Sequence, residues 1–342
     1  MRHLLQTALH TVQHGEQVAL ATIVYQEGSA PRGAGSQLVA NAQGLLAGTT
    51  GGGLAEGRTI AACATALQQG KATVLEFAMD GTLAAQSEMI CGGFVRVLIE
   101  IFSPLDAPVL AAAERALDAA GCLVVRPYPP VQGGAGCGWT LLFADGHKLG
   151  AALPAEHCLS LCKAGNALHE ASVLEVAGQH YFVDMCRPAP RMIIAGGGHV
   201  SRPTAQIAAL AGFAVHVLDD RAEFAAAERF PWASSTRHVP EFTQCFVPYG
   251  VREQDFLVIV TRGHLFDESV LAQALQTPAG YIGMIGSKRK REQIYTHLQE
   301  QGVSNAALAR VASPIGLPIK AETPEEIAVS IVAQCIAHRR SA

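Results

Sequence analysis

One stretch of the chain, with the order strand, glycine turn, helix, strand and acid, constrains the fold more than any other feature. Apolar residues 192–195 lead into Gly196-Gly197-Gly198, a helix is predicted next, and the apolar residues 214–218 end at Asp219. The alternation of strands and helices then continues to about Gln301. Such alternation is typical of a doubly wound parallel sheet. We therefore predict an α/β fold with a Rossmann-like C-terminal domain.

The first half of the chain follows a different pattern. Residues 17–25 are predicted to form a strand, Asn41-Ala42-Gln43-Gly44 is typical of a hairpin turn, and Gly51-Gly52-Gly53 precedes a predicted helix. Arg187-Pro188-Ala189-Pro190 is a stiff connector, because proline fixes its own φ and biases the preceding residue toward extended geometry. We place the boundary there, between a mixed α+β domain of residues 1–187 and the Rossmann-like domain of residues 188–342.

The composition excludes several classes of protein. Hydrophobic residues make up 49% of the chain and charged residues 16%, which is enough apolar content for a core. The net charge of −4 does not favour a nucleic-acid or membrane-surface partner. The start has no secretory signal and no run approaches a membrane span of about 20 residues. Nine scattered cysteines with no C-x-x-C pair argue against disulfides and zinc. We expect a cytoplasmic protein with no nucleic-acid or membrane partner.

The glycine turn at residues 196–198 has the features of a dinucleotide-binding fingerprint. Gly196 and Gly198 follow a strand, Ser201 takes the place of the third glycine, and Asp219 ends the next strand. Glycines let the backbone approach a pyrophosphate, and an acid at this position accepts a hydrogen bond from a ribose hydroxyl. The turn is predicted to bind a nucleotide or another phosphate-bearing ligand. A doubly wound scaffold turn without a ligand is the alternative.

Polar groups follow several predicted strands and are expected to share one edge of the sheet. They belong to Asp219-Asp220-Arg221, Thr261-Arg262-Gly263-His264 and Gly286-Ser287-Lys288. Ligands of open α/β sheets bind beyond the carboxyl ends of the strands. Arg262, Ser287 and Lys288 are therefore predicted to bind an anion. His264 is either a general acid or phosphate donor, or a capped loop histidine without a functional role.

Four consecutive cations begin the helix that follows Ser287, at residues 288–291. Cations in the first turn oppose the helix macrodipole at a cost of about 0.3 to 1 kcal/mol each, so an anionic ligand would compensate them. The alternative is a solvated basic face, and for Arg289 and Arg291 the two interpretations have nearly equal weight. For Lys288, which is nearest to the strand end, we favour the site.

The N-terminal domain contains two further candidates for anion binding. Gly51, Gly52 and Gly53 precede a helix and could form an anion nest. Glu56, in the first turn of that helix, could instead satisfy the N–H groups itself, or coordinate a cation or a ligand hydroxyl. Arg32 follows a rigid Gly-Ser-Ala-Pro loop and is suited to a bidentate phosphate contact, with a solvated surface arginine as the alternative.

Cys91 differs from the other cysteines because Gly92-Gly93 leaves it without neighbouring side chains to cover it. A reactive or soft-metal-binding thiol needs such access. A small buried side chain in a tight turn is the alternative.

A series of motifs gives a specific resemblance. In chain order they are Gly28-Ser29-Ala30-Pro31-Arg32, Gly48-Thr49-Thr50-Gly51-Gly52-Gly53-x-x-Glu56, Cys91-Gly92-Gly93, Gly196-Gly197-Gly198-His199-Val200, Asp219-Asp220-Arg221, Arg229-Phe230-Pro231, Thr261-Arg262-Gly263-His264, Ile282-Gly283-Met284-Ile285-Gly286-Ser287-Lys288 and Ser313-Pro314-Ile315-Gly316-Leu317. In residue types and order they resemble the XdhC/CoxI family of molybdoenzyme maturation factors. Residues 104–186 carry no matching motif.

The resemblance implies a CoxI-type N-terminal domain and a non-catalytic maturation chaperone. Such a protein holds molybdenum cofactor, as molybdopterin or its cytidine dinucleotide form, and supports its sulfuration with a cysteine desulfurase. It then inserts the cofactor into an apo-molybdenum hydroxylase of the xanthine dehydrogenase type. Cys91 would act as a molybdenum ligand or sulfur relay. The cofactor-binding candidates are Arg32, Gly51, Gly52, Gly53, Glu56, Gly196, Gly198, His199, Asp219, Arg262, His264, Ser287 and Lys288.

Two other classes of function stay open at this point. An NAD(P)-dependent oxidoreductase is supported by Gly196, Gly198 and Asp219 alone. A protein-binding scaffold would need no small ligand. The Rossmann turn could also hold a nucleotide beside molybdenum cofactor, and a homodimer is a candidate assembly.

Overall fold

The computed structural model describes residues 1–28, 32–78, 93–131, 137–165, 168 and 170–341, without the side chains of residues 264 and 265. The chain divides into two compact units, Met1–Pro188 and Ala189–Ala342. Among the described residues, no helix is both long and apolar enough to cross a membrane.

The described part of the N-terminal unit contains two five-stranded antiparallel sheets. The first sheet has the order β3-β2-β1-β5-β4, with β1 Val18–Gly28, β2 Gln37–Asn41, β3 Gly44–Gly48, β4 Thr73–Ala78 and β5 Gly93–Phe102. The second has the order β8-β7-β6-β10-β9, with β6 Cys122–Pro127, β7 Thr140–Leu142, β8 Lys148–Gly150, β9 Ser172–Val176 and β10 Gln179–Cys186. The hairpin predicted at Asn41–Gly44 is confirmed as the turn between β2 and β3.

Helices cover these sheets, and of the four among the described residues only the helix after Gly53 was predicted from the sequence. They are α1 Arg2–Gln13, α2 Gly53–Gln69, α3 Ala107–Ala116 and α4 Ala155–Gly165. The predicted helix after Gly53 is confirmed, and it ends where Gly70 adopts a left-handed conformation at φ 63°. The missed helix α1 is amphipathic, because Leu5, Ala8 and Val12 recur at helical spacing and are buried. Both sheets, α1 and α3 contribute side chains to one apolar cluster.

The C-terminal unit contains the predicted parallel sheet, here with six strands in the order β13-β12-β11-β14-β15-β16. The strands are β11 Arg191–Ala195, β12 Ala214–Asp219, β13 Ser235–His238, β14 Phe256–Ile259, β15 Tyr281–Met284 and β16 Val311–Ala312. The helices are α5 Ser201–Leu210, α6 Gly263–Leu275, α7 Lys288–Glu300, α8 Asn305–Leu308 and α9 Pro324–Ser341. The α/β fold with a doubly wound sheet is therefore confirmed.

Helices cover both faces of this sheet because β11 carries apolar side chains on both. Ile193 packs with the cluster that contains Val270 of α6, whereas Met192 and Ile194 pack with Ala205 of α5. Parallel strands buried on both faces read as continuous apolar runs, which is the pattern of residues 192–195. The sheet thus holds the strand ends in fixed positions.

Candidate functional site

The carboxyl edge of the parallel sheet brings the loops after β11 and β14 together. The strand order reverses between these two neighbours, and such a switch point is where open α/β sheets bind ligands. The approach is close, since a Cβ added at Gly196 would overlap the carbonyl oxygen of Val260. Gly196 also has φ 108°, a conformation that favours glycine. Glycine at position 196 therefore allows the two loops to pack closely against each other.

Asp219, at the end of β12, holds the glycine turn in place. It is 1% exposed and accepts a 2.6 Å hydrogen bond from the backbone N–H of Gly197. It also accepts bonds from the backbone N–H and the Nε of Arg221, at 2.9 and 3.0 Å. Burial alone would raise the pKa of Asp219, but these bonds outweigh it and lower the pKa. Both carboxylate oxygens are thus engaged within the protein.

The segment after β12 covers one side of the turn. A Cβ at Gly197 would overlap the carbonyl oxygen of Phe224, whereas a Cβ at Gly198 would meet no atom within 4 Å. Arg221 stacks on the Phe224 ring at 3.4 Å from its centroid, and Arg229 donates to the carbonyl oxygen of Gly197 at 3.3 Å. Gly198 is therefore the open position at which a ligand can approach the backbone.

We expect Gly197→Ala to destabilise the C-terminal unit by about 1 to 3 kcal/mol, because its methyl group would displace the backbone of Phe224. Gly198→Ala, whose methyl group faces open space, should change the free energy of unfolding by less than about 0.5 kcal/mol. Urea denaturation of both variants measures the difference. Equal stabilities would contradict the close contact at Gly197.

Two of the four cations at the start of α7 have structural partners. Lys290 forms an ion pair with Asp267, a fully buried carboxylate that also accepts from the Thr261 hydroxyl. Arg291 donates to the carbonyl oxygen of Ser313 at 3.0 Å. Ser287 caps the helix, because its Oγ accepts from the backbone N–H of Lys290 at 3.2 Å. These groups fix the helix N-terminus against α6 and the loop that follows β16.

The other two cations, Lys288 and Arg289, are exposed and have no side-chain partner among the described residues. Arg262, which precedes α6, is 58% exposed and pairs with Asp220 at 2.9 Å. We call these three residues the cationic edge. His199, in the glycine turn, is also exposed, and the side chain of His264 lies outside the described part. The cationic edge and the open position at Gly198 both lie at the carboxyl edge of the parallel sheet, and the exposed cations are suited to an anionic ligand.

In the N-terminal unit, Glu56 fills the turn that was predicted as an anion nest. Its Oε2 accepts from the Thr49 hydroxyl and from the backbone N–H groups of Thr50 and Gly52, the latter two at 2.9 and 3.2 Å. Burial would raise the pKa of Glu56, but these bonds lower it. The carboxylate thus satisfies the N–H groups of Thr50 and Gly52, and the Gly51 N–H donates to the Thr49 hydroxyl oxygen. An incoming anion would have to displace it.

Two other candidates concern segments that the structure describes only in part or not at all. Arg32 is exposed and has no side-chain partner among the described residues. Residues 29–31 of its loop are not described, and Cys91 lies outside the described residues altogether. In the part of the chain that is described, no group of three or more His, Cys, Asp or Glu side chains is arranged to hold a metal ion.

Sequence reasoning missed a buried charge network in the N-terminal unit. Arg126 of β6 is 0% exposed and lies 3.6 Å from both Glu100 of β5 and Asp184 of β10. It donates to the Thr22 hydroxyl at 3.0 Å, and Trp139 Nε1 donates to Glu100 at 3.1 Å. Burial raises the pKa of Glu100 to about 7, against the opposite effects of Arg126 and Trp139. The available signal was a charged residue inside an apolar run of each strand, at Glu100, Arg126 and Asp184.

The chain matches two known sequence families. Residues 192–335 match the XdhC Rossmann domain, and residues 11–78 match the XdhC and CoxI family. The chain belongs to the XdhC/CoxI family. The resemblance inferred from the motifs is therefore confirmed.

Several proteins resemble this XdhC/CoxI member. A probable xanthine dehydrogenase subunit of Bacillus subtilis is 26% identical over 99% of this chain and 97% of its own length. The molybdenum cofactor insertion chaperone PaoD of Escherichia coli is 23% identical over 97% of this chain and 87% of its own. YqeB of Escherichia coli is 33% identical, but the match spans only 47% of this chain and 29% of YqeB.

A solved structure has the same fold over nearly the whole chain. It is described as a xanthine dehydrogenase from Bacillus halodurans, and it superimposes with a TM-score of 0.81 at 25% identity. The match covers 99% of this chain and 96% of that one.

Proposed function

We propose that this protein binds molybdenum cofactor, supports its sulfuration and inserts it into an apo-molybdenum hydroxylase of the xanthine dehydrogenase type. The proposal draws on the family and on the full-length relative named as a molybdenum cofactor insertion chaperone. In this proposal the cofactor is cargo, and the protein is a maturation chaperone and not an enzyme. The cysteine desulfurase and the hydroxylase are its partners.

The cationic edge is the observation that carries this proposal. Molybdopterin ends in a phosphate, and its cytidine dinucleotide form carries a pyrophosphate, so either form is an anion. Lys288 and Arg289 are exposed and unpaired among the described residues, and Gly198 lets a ligand approach the backbone. Charge-assisted hydrogen bonds from such groups would hold the phosphate. Thr49, Thr50 and Gly52 contribute in this proposal only if the Glu56 carboxylate moves away.

The geometry at Asp219 disfavours an NAD-dependent oxidoreductase, which is one form of the alternative. In an NAD site this acid is needed for the ribose hydroxyls. Here it already accepts from Gly197 and Arg221. A ribose would have to compete with the stacked guanidinium of Arg221 for the same oxygens. A phosphate bound at the cationic edge would not compete for the oxygens of Asp219.

Cofactor analysis of the purified protein tests the proposal. The chain is produced in cells that make molybdenum cofactor and is purified without oxygen. We expect molybdenum and oxidised pterin in near stoichiometric amounts, and activation of an apo-hydroxylase by the loaded protein. Background levels of both would refute cofactor binding. Quenching or enhancement of NADH fluorescence on titration would support the oxidoreductase instead.

A prediction about Cys91, which rests on the sequence alone, tests the sulfuration step. Cys91→Ser keeps nearly the same volume but replaces a soft, ionisable sulfur by a hard hydroxyl. We expect a stable variant that still delivers cofactor, while the client hydroxylase receives the inactive desulfo form. The measurement is client activity before and after chemical resulfuration, with Cys63→Ser as the buried control. Full client activity with the Cys91 variant would show that the thiol is dispensable.

A further inference from the structure

Two histidines lie one turn apart at the carboxyl end of α1. His10 and His14 are separated by four residues, and their ring centroids are 4.2 Å apart with the ring planes tilted by 34°. Both residues are exposed, whereas Leu5, Ala8 and Val12 on the opposite face of the helix are buried. Residues at i and i+4 are neighbours on a helix surface, so the two imidazoles lie side by side in solvent.

The proton on the His14 ring is fixed by a hydrogen bond within the helix. The Nδ1 of His14 lies 2.7 Å from the carbonyl oxygen of His10. A carbonyl oxygen only accepts, so Nδ1 carries the proton and the neutral ring keeps the lone pair of Nε2. Histidines that ligate metal ions almost always donate their other ring N–H to a backbone carbonyl, a carboxylate or water, which orients the ring. His14 therefore has the bonding pattern of a metal ligand.

The end of α1 is held in a defined geometry, although helix ends often fray. Gly15 has φ 86°, and its N–H donates to the carbonyl oxygen of Val12 at 3.1 Å. The N–H of Glu16 donates to the carbonyl oxygen of Thr11 at 3.3 Å. These two bonds form a Schellman motif, which satisfies the last carbonyl groups of a helix. The motif fixes the backbone of His14, the residue before Gly15.

The surroundings favour a cation of a particular class. The carboxyl end of a helix carries the negative end of the macrodipole, so a cation is stabilised there. Imidazole nitrogens suit Ni²⁺, Cu²⁺ and Zn²⁺, whereas Mg²⁺ and Ca²⁺ prefer oxygen ligands. The described residues hold no group of three His, Cys, Asp or Glu side chains arranged for a metal ion, so water would complete the coordination.

We propose that His10 and His14 chelate one divalent transition-metal ion of this class on the surface of α1. The ion binds Nε2 of His14 and one ring nitrogen of His10, whose side chain has no hydrogen-bond partner among the described residues. Binding breaks no bond of the fold, because Nδ1 of His14 keeps its bond to the His10 carbonyl oxygen. The bound ion links two turns of α1 and so stabilises its carboxyl end. The site is independent of the proposed function.

Calorimetric titration with Ni²⁺ tests the site. Ni²⁺ is the probe because, unlike Cu²⁺, it does not oxidise free thiols, and the chain has several free cysteines. Full-length protein without a polyhistidine tag is titrated, and Mg²⁺ is the control ion. We expect one Ni²⁺ bound per chain at a site that Mg²⁺ does not occupy. Absence of Ni²⁺ binding overturns the proposal.

Substitutions distinguish a chelate from two separate histidines. His10→Gln and His14→Gln should each weaken Ni²⁺ binding by about 10-fold or more, because a chelate fails when either ligand is removed. His3→Gln is the matched control, since His3 is exposed on α1 but lies about 10 Å along the helix from His10. Two separate histidines would instead give two weak sites, and each variant would lose one without changing the other. That result, or an equal loss of affinity in the His3 variant, overturns the assignment.

Hydrogen exchange provides a second readout at the helix end. Ni²⁺ should slow amide exchange at residues 14–16, whose N–H groups donate to carbonyl groups of α1. The same addition should leave exchange at these residues unchanged in the His10→Gln variant. If Ni²⁺ does not slow exchange there in the native chain, the ion binds elsewhere and the proposal is wrong.

Discussion

Replacing Arg126 by methionine is expected to lower the free energy of unfolding by about 3 to 5 kcal/mol. The substitution keeps much of the volume but leaves Glu100 and Asp184 buried without their shared cation. It also removes the guanidinium from the Trp139 ring, whose centroid lies 4.6 Å from its carbon. Urea denaturation followed by tryptophan fluorescence measures the change.

The loss should depend on pH in a defined direction. Glu100 has an ordinary pKa of 4.5 that burial raises to about 7, so its contribution to stability is complete below about pH 4.5 and declines as pH rises toward 7. Arg126 limits this effect, because it lowers the pKa of both Glu100 and Asp184. Without it the pKa values of both carboxyls rise further. The variant should therefore lose more stability at about pH 8 than at about pH 5.

An exposed ion pair provides the control for Arg126. Arg96→Met removes the partner of Glu76, whose side chain is 51% exposed, and should cost less than about 1 kcal/mol at either pH. If the Arg126 variant loses as little unfolding free energy as this, or if its loss does not change with pH, the proposed role of Arg126 in the buried charge network is wrong.

Lys288→Ala is expected to weaken binding of molybdenum cofactor by about 1.5 to 3 kcal/mol, or roughly 10- to 100-fold. The ammonium has no protein partner among the described residues, so its removal should cost the fold almost nothing. Competition binding of the isolated cofactor measures the affinity, and thermal unfolding measures the stability. Arg340→Ala, which removes an exposed cation from the last turn of α9, is the control and should bind normally.

Lys290→Ala should give the opposite result, two residues further along the same helix. Its partner Asp267 is fully buried, and burial raises the pKa of Asp267 even with the bonds from Lys290 and Thr261. Removing the ammonium leaves that carboxyl without its cation, so stability should fall by about 2 to 4 kcal/mol. If Lys288→Ala destabilises the protein while Lys290→Ala weakens only binding, the roles assigned to these two lysines are reversed.

The fold class of the C-terminal unit could be predicted because its determinants are local. Continuous apolar runs mark strands buried on both faces, and glycines mark the sharp turns between strand and helix. The sequence pattern predicts a helix around Glu268 to Leu275, whereas the helix α6 begins at Gly263. Gly263 has φ 78°, and the helix starts directly after this turn. Periodicity does not reveal such a start, because the first turn is not yet amphipathic.

The candidate site could be predicted only as a set of positions. The sequence places four cations at the start of α7, but it does not tell which are paired. Pairing depends on Asp267 and Ser313, which lie on other elements and approach α7 only in the folded sheet. In the same way, Asp219 occupies the sequence position at which a dinucleotide-binding domain has its ribose acceptor. In the folded protein, however, its oxygens accept hydrogen bonds from Gly197 and Arg221.

The sequence by itself determined the family, the parallel sheet and the glycine turn at its switch point, since these follow from residue order and local backbone preference. The tertiary structure alone decided how the charges are distributed. Arg126, Glu100 and Asp184 come from three strands that are distant in sequence, and their separations of 3.6 Å exist only after the sheets pair. Coulombic and hydrogen-bond energies depend on distance and burial, and neither quantity is written in the order of the residues.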